Sequence, residues 1–303
     1  MTASDTSGCE IKLYRPFGSS KQAYIFGHVF KRQKLKRERV SNNILKNAWE
    51  MMKRYRVSVA SDQRLNVTVA DQIYQVRTDN KGFFLLSFDP PETSGVITCT
   101  ASLAEDPTSA VTGELKLEKP QEIIVSDIDD TILISHSTSL IKKVYTLLSR
   151  NFERRKPFTG VQAFYHQLDS KSPNQLFFYV SSSEWNLYDF IVNFCRHHNF
   201  PEGKFLLNDI KIGLGQVIKS GGGSHKHKYE KIRMIRETYS TAKLTLIGDS
   251  GQKDAEIYEK IALEAPDRIN EIYIRDLHKH KQKRLISMQK RLADKDISMN
   301  LFK

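Results

Sequence analysis

From Pro120 onward the chain alternates short apolar runs with amphipathic ones, and that alternation limits the folds open to it more than any other feature. EIIV (122–125), LFFYV (176–180), LTLI (244–247) and EIYIR (271–275) read as strands. Between them, SLIKKVYTLLSR (139–150), VQAFYHQL (161–168), LYDFIVNFC (187–195), KYEKIRMIRETY (228–239) and AEIYEKIAL (255–263) read as helices. Strand and helix in repetition predict an α/β domain with a mainly parallel sheet. LFFYV and LTLI are apolar throughout, as strands covered on both faces should be.

Open α/β sheets gather their ligands at the carboxyl ends of the strands, near the point where strand order reverses. The residues just past each strand therefore matter. EIIV runs into Ser126 and then Asp127-Ile128-Asp129-Asp130-Thr131. LFFYV leads into Ser181-Ser182-Ser183, and LTLI into Gly248-Asp249-Ser250-Gly251-Gln252-Lys253-Asp254. His225-Lys226-His227-Lys228 stands between the last two, after the loop SGGGS (220–224). Carboxylates this close repel one another and are costly to desolvate unless a cation, a proton or a substrate accounts for them. The alternative is a solvated turn in which one aspartate caps a helix.

The first third has a different character. QAYIFGHVF, RVSVA, RLNVTVA, IYQVR, FFLLSF and GVITCTA are short β-branched or aromatic runs, which predict a small antiparallel β-sandwich. A helix is expected near 41–55, with Ser41 as its N-cap and Ile44, Leu45, Trp49 and Met52 along one face. The change of pattern at Glu118-Lys119-Pro120 divides the chain into expected domains of 1–118 and 119–303.

Composition narrows the function classes. At 39% hydrophobic and 27% charged, with no apolar run long enough to span a bilayer, the chain reads as soluble. MTASDTSGCE lacks a basic segment followed by an apolar one, so a cytoplasmic protein is expected. Cys9, Cys99 and Cys195 are widely spaced and suit reduced thiols better than disulfides or a zinc site. A net charge of +12 attracts phosphates, whether of nucleic acid, anionic lipid or small substrates. No nucleic-acid recognition motif accompanies it, so no nucleic-acid partner is expected.

The order of acidic pair, hydroxyl, lysine and second acidic pair, each at a strand end or helix start, resembles the four motifs of the haloacid-dehalogenase superfamily of phosphohydrolases. FFYVSSSEWNLYDF (177–190), HKYEKI (227–232) and LIGDSGQKDAEIY (246–258) are similar to the catalytic domain of the actin-patch phosphatidate phosphatases and their bacterial relatives. The resemblance covers about the last three-fifths of the chain. It departs at Glu184, where the family often has proline, and the chain lacks the proline-rich motif on which a cytoskeletal role depends.

The resemblance implies a haloacid-dehalogenase-like, Rossmann-like catalytic domain and a Mg²⁺-dependent phosphatase working through an aspartyl-phosphate. Asp127 is then the nucleophile. Asp129 is the general acid and base, and offers Mg²⁺ its backbone carbonyl. Asp249 is a metal ligand, and Asp254 binds directly or through water. Ser181, favoured over Ser182 and Ser183 because it directly ends the strand, hydrogen-bonds the phosphoryl group, Lys228 (with Lys226 as competitor) stabilises its charge, and Thr131 and Ser182 complete the substrate contacts. Phosphatidate is the implied substrate. A phosphatase of soluble or nucleic-acid phosphomonoesters, or a silent domain that binds anionic membranes or nucleic acid, stands as the alternative. In KQKRLISMQKRL, Leu285, Met288 and Leu292 form a stripe flanked by basic residues. That pattern suits either a helix lying on an anionic membrane or one packed on its own domain.

Overall fold

A computed structural model describes residues 8–31, 58–92, 95–129, 131–132, 160–172, 174–209, 224–251, 253–277 and 282–302. The expected helices at 41–55 and 139–150, Asp130 and most of the glycine loop lie outside them. The chain divides into two compact units, Met1–Lys119 and Pro120–Lys303.

The first unit is two antiparallel sheets sharing one core. In one, β3 (Ala23–Lys31) pairs with β1 (Cys9–Leu13) and β2 (Phe17–Gly18) along one edge and with β6 (Phe83–Phe88) along the other. The second runs in the order β5 (Gln72–Arg77), β4 (Arg64–Val69), β7 (Val96–Leu103), β8 (Asp106–Lys116). Alternate residues of β4, β6 and β7 are buried, the period-two signature of a strand with one face on a core. Ile11, Ile25, Val29, Phe84 and Leu86 from the first sheet meet Leu65, Val67, Cys99, Leu103 and Leu115 from the second. This is the sandwich that the alternation predicts.

Sequence reading passed over β1, β2 and β8. β8 is an edge strand holding Pro107, Ser109 and Gly113, and an edge tolerates the proline that an inner strand would not. RVSVA yields no strand in its described part, only an isolated bridge from Val59 to Phe30.

The second unit is built on six parallel strands: β9 (Glu122–Ser126), β10 (Gln175–Glu184), β11 (Gly203–Asn208), β12 (Lys243–Asp249), β13 (Ile269–Arg275) and β14 (Ser298–Phe302). Their order across the sheet is β11-β10-β9-β12-β13-β14. The chain thus builds outward from β9 on one side, then returns to build outward on the other. β9 and β12 flank the reversal, which is where such a sheet offers a ligand crevice. β11 and β14 were also passed over, because GKFLLN and SMNLF carry polar residues that blur the apolar signal.

Five helices are described: α1 (Val161–Asp169), α2 (Tyr188–His197), α3 (Ser224–Thr238), α4 (Asp254–Glu264) and α5 (Gln282–Ala293). Neighbouring strand residues point to opposite faces. Phe177 meets Tyr165 of α1, while Phe178 meets Tyr239 just after α3, so helical segments cover both faces. In α5, Leu285, Met288 and Leu292 are buried, and Arg284 and Arg291 pair with Glu256 and Glu259 of α4. The apolar stripe is therefore spent on the protein's own core, and the exposed side of the helix carries its basic residues together with Ile286.

Candidate active site

β9 delivers Asp127 one residue past its end, and β12 ends on Asp249, its neighbour at the reversal. The backbone N–H of Asp127 donates to the Ile247 carbonyl at 2.8 Å, which continues the ladder into the loop and fixes the two acids side by side. α4 begins with Asp254, and α3 carries Lys228 in its second turn. All are withdrawn from water: Asp127 and Asp249 are 0% exposed, Asp254 1% and Lys228 4%.

Lys228 Nζ donates to Asp127 Oδ1 at 2.8 Å and to Asp254 Oδ1 at 2.5 Å. Thr131, fully buried, donates to the other oxygen of Asp127 at 3.3 Å. Ser126 lies behind this group, its hydroxyl hydrogen-bonded to Tyr165 and to the Asp127 carbonyl. Asp127, Asp249 and Asp254 can each place one carboxylate oxygen within 4.8 Å of the others.

The electrostatics of the pair are lopsided. Burial pushes the Asp127 carboxyl well above the usual carboxylate range; Lys228 opposes this, and Asp254, Asp129 and Asp249 add to it. Burial works against the Lys228 ammonium too, but Asp127 and Asp254 more than reverse it and hold the amine above its ordinary value. A cation is thus welcome here, and the single ammonium does not satisfy Asp127. Three buried carboxylate oxygens close together form a hard donor set that suits a small divalent ion. The residues present fit Mg²⁺.

Asp129 stands apart from that group. Its carboxylate accepts from Ser181 Oγ at 2.8 Å and from Ser183 Oγ at 3.1 and 2.9 Å to its two oxygens. Ser181 also accepts from the Ser183 N–H at 2.8 Å. The serines of β10 thus hold Asp129, which places a second acid, anchored separately, beside the first. Of the three serines the sequence favours Ser181, and the structure adds Ser183. The signal was there: residues two apart on an extended chain share a side, so Ser183 accompanies Ser181. Ser182 is half-buried.

Lys226 is exposed and makes none of these contacts among the described residues, while Lys228 is the buried partner of both acids. Glu184, at the family's proline position, is 8% exposed at the end of β10, opposite Asn208 of β11 across a break in register. Trp185 is buried and stacks on Tyr188 with ring centroids 6.0 Å apart.

Gly248 is there for space. A Cβ at this position would lie 2.6 Å from Asp254 Oδ2 and 2.8 Å from the Tyr258 ring. Only glycine lets α4 press Asp254 against the end of β12.

Among known proteins, a yeast phosphatidate phosphatase, APP1 of Saccharomyces cerevisiae, is 30% identical over 153 residues, covering 50% of this chain and 25% of its own length. An uncharacterised protein of Schizosaccharomyces pombe is 28% identical over 157 residues, again 51% of this chain and 25% of that protein. The match thus spans about a quarter of the length of these curated relatives. Among solved structures, a carbohydrate acetylesterase from Xanthomonas citri aligns over 96% of this chain and 68% of its own, at 7% identity and a TM-score of 0.31, a likeness too slight to bear on fold or function. The family described as the catalytic domain of phosphatidate phosphatase APP1 matches residues 123–276, a segment that holds Asp127, Asp129, Lys228, Asp249 and Asp254. The chain belongs to that family.

Proposed function

We propose that the second unit is a Mg²⁺-dependent phosphomonoesterase of the haloacid-dehalogenase type, and that it hydrolyses phosphatidate to diacylglycerol and phosphate. The observation that carries this reading is the buried group itself: Asp127, held by Lys228 and Thr131, places a carboxylate oxygen within 4.8 Å of one from Asp249 and one from Asp254, a spacing that a shared cation can bridge. Burying carboxylates together is costly, and neither the core nor a helix cap requires it.

In this reading an Asp127 oxygen attacks phosphorus, the bond from phosphorus to the lipid oxygen breaks, and an aspartyl-phosphate forms. Asp129, in its protonated form, gives its proton to the departing alkoxide; it then takes one from the water that releases phosphate and restores Asp127. Ser181 and Ser183 orient Asp129 for both transfers. Lys228 restrains the nucleophile and balances charge on the phosphoryl group. Mg²⁺ held by Asp127, Asp249 and Asp254 would offset the repulsion between the carboxylate and the phosphate dianion.

The lipid substrate rests on the family and on the basic surface, which suits visits to an anionic interface. Among the described residues no helix is long and apolar enough to cross a membrane. The test is phosphate release from phosphatidate vesicles and from a panel of soluble esters, with Mg²⁺ or with EDTA. Release from phosphatidate that EDTA abolishes supports the reading. Preference for a soluble ester would keep the chemistry and discard the lipid. No release with any divalent ion would leave a binding module. Replacing Asp129 with Asn should cut turnover by about 10²- to 10⁴-fold while substrate affinity stays near wild type; turnover within tenfold would remove its proton-transfer role.

A further inference from the structure

One ammonium beside the site takes no part in that chemistry. Lys231 lies three residues after Lys228 on α3, one helical turn on and on the same face. Its Nζ donates to the Leu207 carbonyl at 2.6 Å. Leu207 is fully buried near the carboxyl end of β11. The next residue, Asn208, accepts the Asp209 N–H on its own side chain at 2.9 Å, so the strand end there is a shaped turn. Burial weakens the Lys231 ammonium most, Asp209 supports it and Lys228 opposes it, leaving the amine pushed down to about 8. Elsewhere on the elements that touch α3, the charged groups are Glu184 of β10, Lys204 of β11, and Asp254, Glu256, Glu259, Lys260 and Glu264 of α4. Of these, Asp254 is held by Lys228, and Glu264 by Tyr229 and Arg236.

We propose that Lys231 is a positioning residue for phosphoryl transfer: its bond to Leu207 locks α3 to the end of β11 and so sets the depth at which Lys228 enters between Asp127 and Asp254. The lever is short. Two side chains one turn apart move together, and Lys228 holds its two acids at 2.8 and 2.5 Å, so a small slide of α3 breaks one contact or both. An ordinary surface lysine would solvate its charge instead of spending it on a buried carbonyl. An ammonium also donates more strongly than a neutral amine, so the lock loosens as pH rises through about 8.

This inference rests on the phosphatase reading, and its test separates the two. Turnover and KM are measured from neutral to alkaline pH for wild type, Lys231→Arg and Lys231→Met, alongside NMR of the lysine side chains. Lys231→Met is expected to lose about tenfold in kcat with KM little changed, since small misplacements near a reacting centre cost rate more than binding. Wild type should lose turnover as pH passes about 8, and Lys231→Arg, which keeps its charge, should not. The Lys228 signal should move in Lys231→Met and return toward wild type in Lys231→Arg. If Lys231→Met misfolds, the alkaline loss of turnover in wild type and its absence in Lys231→Arg carry the test, and an equal loss in both would overturn the inference. Wild-type turnover and an unchanged Lys228 signal in Lys231→Met would overturn the inference. If wild type hydrolyses no ester, the phosphatase reading fails, and the Lys228 signal alone decides whether Lys231 positions it.

Discussion

The two units bury polar groups in opposite ways. Among the described residues of the first unit, the buried polar side chains are His28 and Thr78, and both are locally paired. Thr78 donates to the Ala60 carbonyl at 2.9 Å and accepts from the Gln63 N–H at 2.8 Å, while His28 Nδ1 pairs with Tyr14 at 3.1 Å. The second unit buries Asp127, Asp129, Asp249, Asp254 and Lys228 at the reversal of strand order. Polar groups that serve the fold find neighbours in the segments beside the strand ends. Those in the second unit are brought together from separate segments, and the acids among them repel one another while Lys228 pairs with two of them. One unit is arranged for stability; the other gives some up to hold a charged site.

The sharpest way to break that contrast is Asp127→Asn. If Asp127 is the nucleophile as proposed, its loss should lower kcat/KM by about 10⁴-fold or more, an effect expected only where the residue reacts. Its stability should move the other way. The Asp127 carboxyl is held above its ordinary pKa in the folded protein, so the folded state binds its proton more tightly than the unfolded one. Its contribution is therefore present below the ordinary carboxylate range and is lost as pH rises through the raised value. In EDTA, denaturant titrations should show Asp127→Asn spared that loss, and a variant less stable than wild type at neutral pH would contradict it.

Leu65→Ala is the mirror experiment. Leu65 is fully buried at the centre of the sandwich core, and its truncation should cost about 2–5 kcal/mol by calorimetry. Turnover per folded molecule should not change; a kinetic defect would blur the division of labour between the units.

Gly248→Ala tests the site's geometry without touching a charge. The added methyl collides with Asp254 and Tyr258, so the expected cost is about 1–3 kcal/mol, with a loss of divalent-ion affinity read by calorimetry. Normal ion binding would show that Asp254 need not press against β12.

The smallest effect expected is at Ala70, in the two-residue turn from β4 to β5. Its φ of 50° is left-handed, so Ala70→Gly should relieve strain and stabilise by at most about 1 kcal/mol, with turnover unaffected.

Much of this arrangement could be read from residues alone. The apolar runs at EIIV, LFFYV and LTLI became β9, β10 and β12, because continuous burial on both faces leaves few other placements for them. The acids just past those strands do converge, since strand ends at a reversal have nowhere else to point. Strand pairing was not legible. β8 and β14 are polar edge strands whose partners supply what their own sequences lack. Nor did the sequence distinguish Lys226 from Lys228 by type; helical phase did, turning one to solvent and the other onto Asp127. Lys231 was invisible for the same reason: its meaning lies in a backbone carbonyl on another strand, and a carbonyl leaves no mark on sequence.

The central claim is that a buried aspartate takes up the phosphoryl group. Rapid acid quenching during turnover of phosphatidate with Mg²⁺, followed by mass spectrometry of the digested protein, addresses it directly. A phosphoryl adduct is predicted on the peptide bearing Asp127, absent in EDTA and absent in Asp127→Asn. Turnover with no adduct on that peptide, or an adduct that persists in Asp127→Asn, would contradict it.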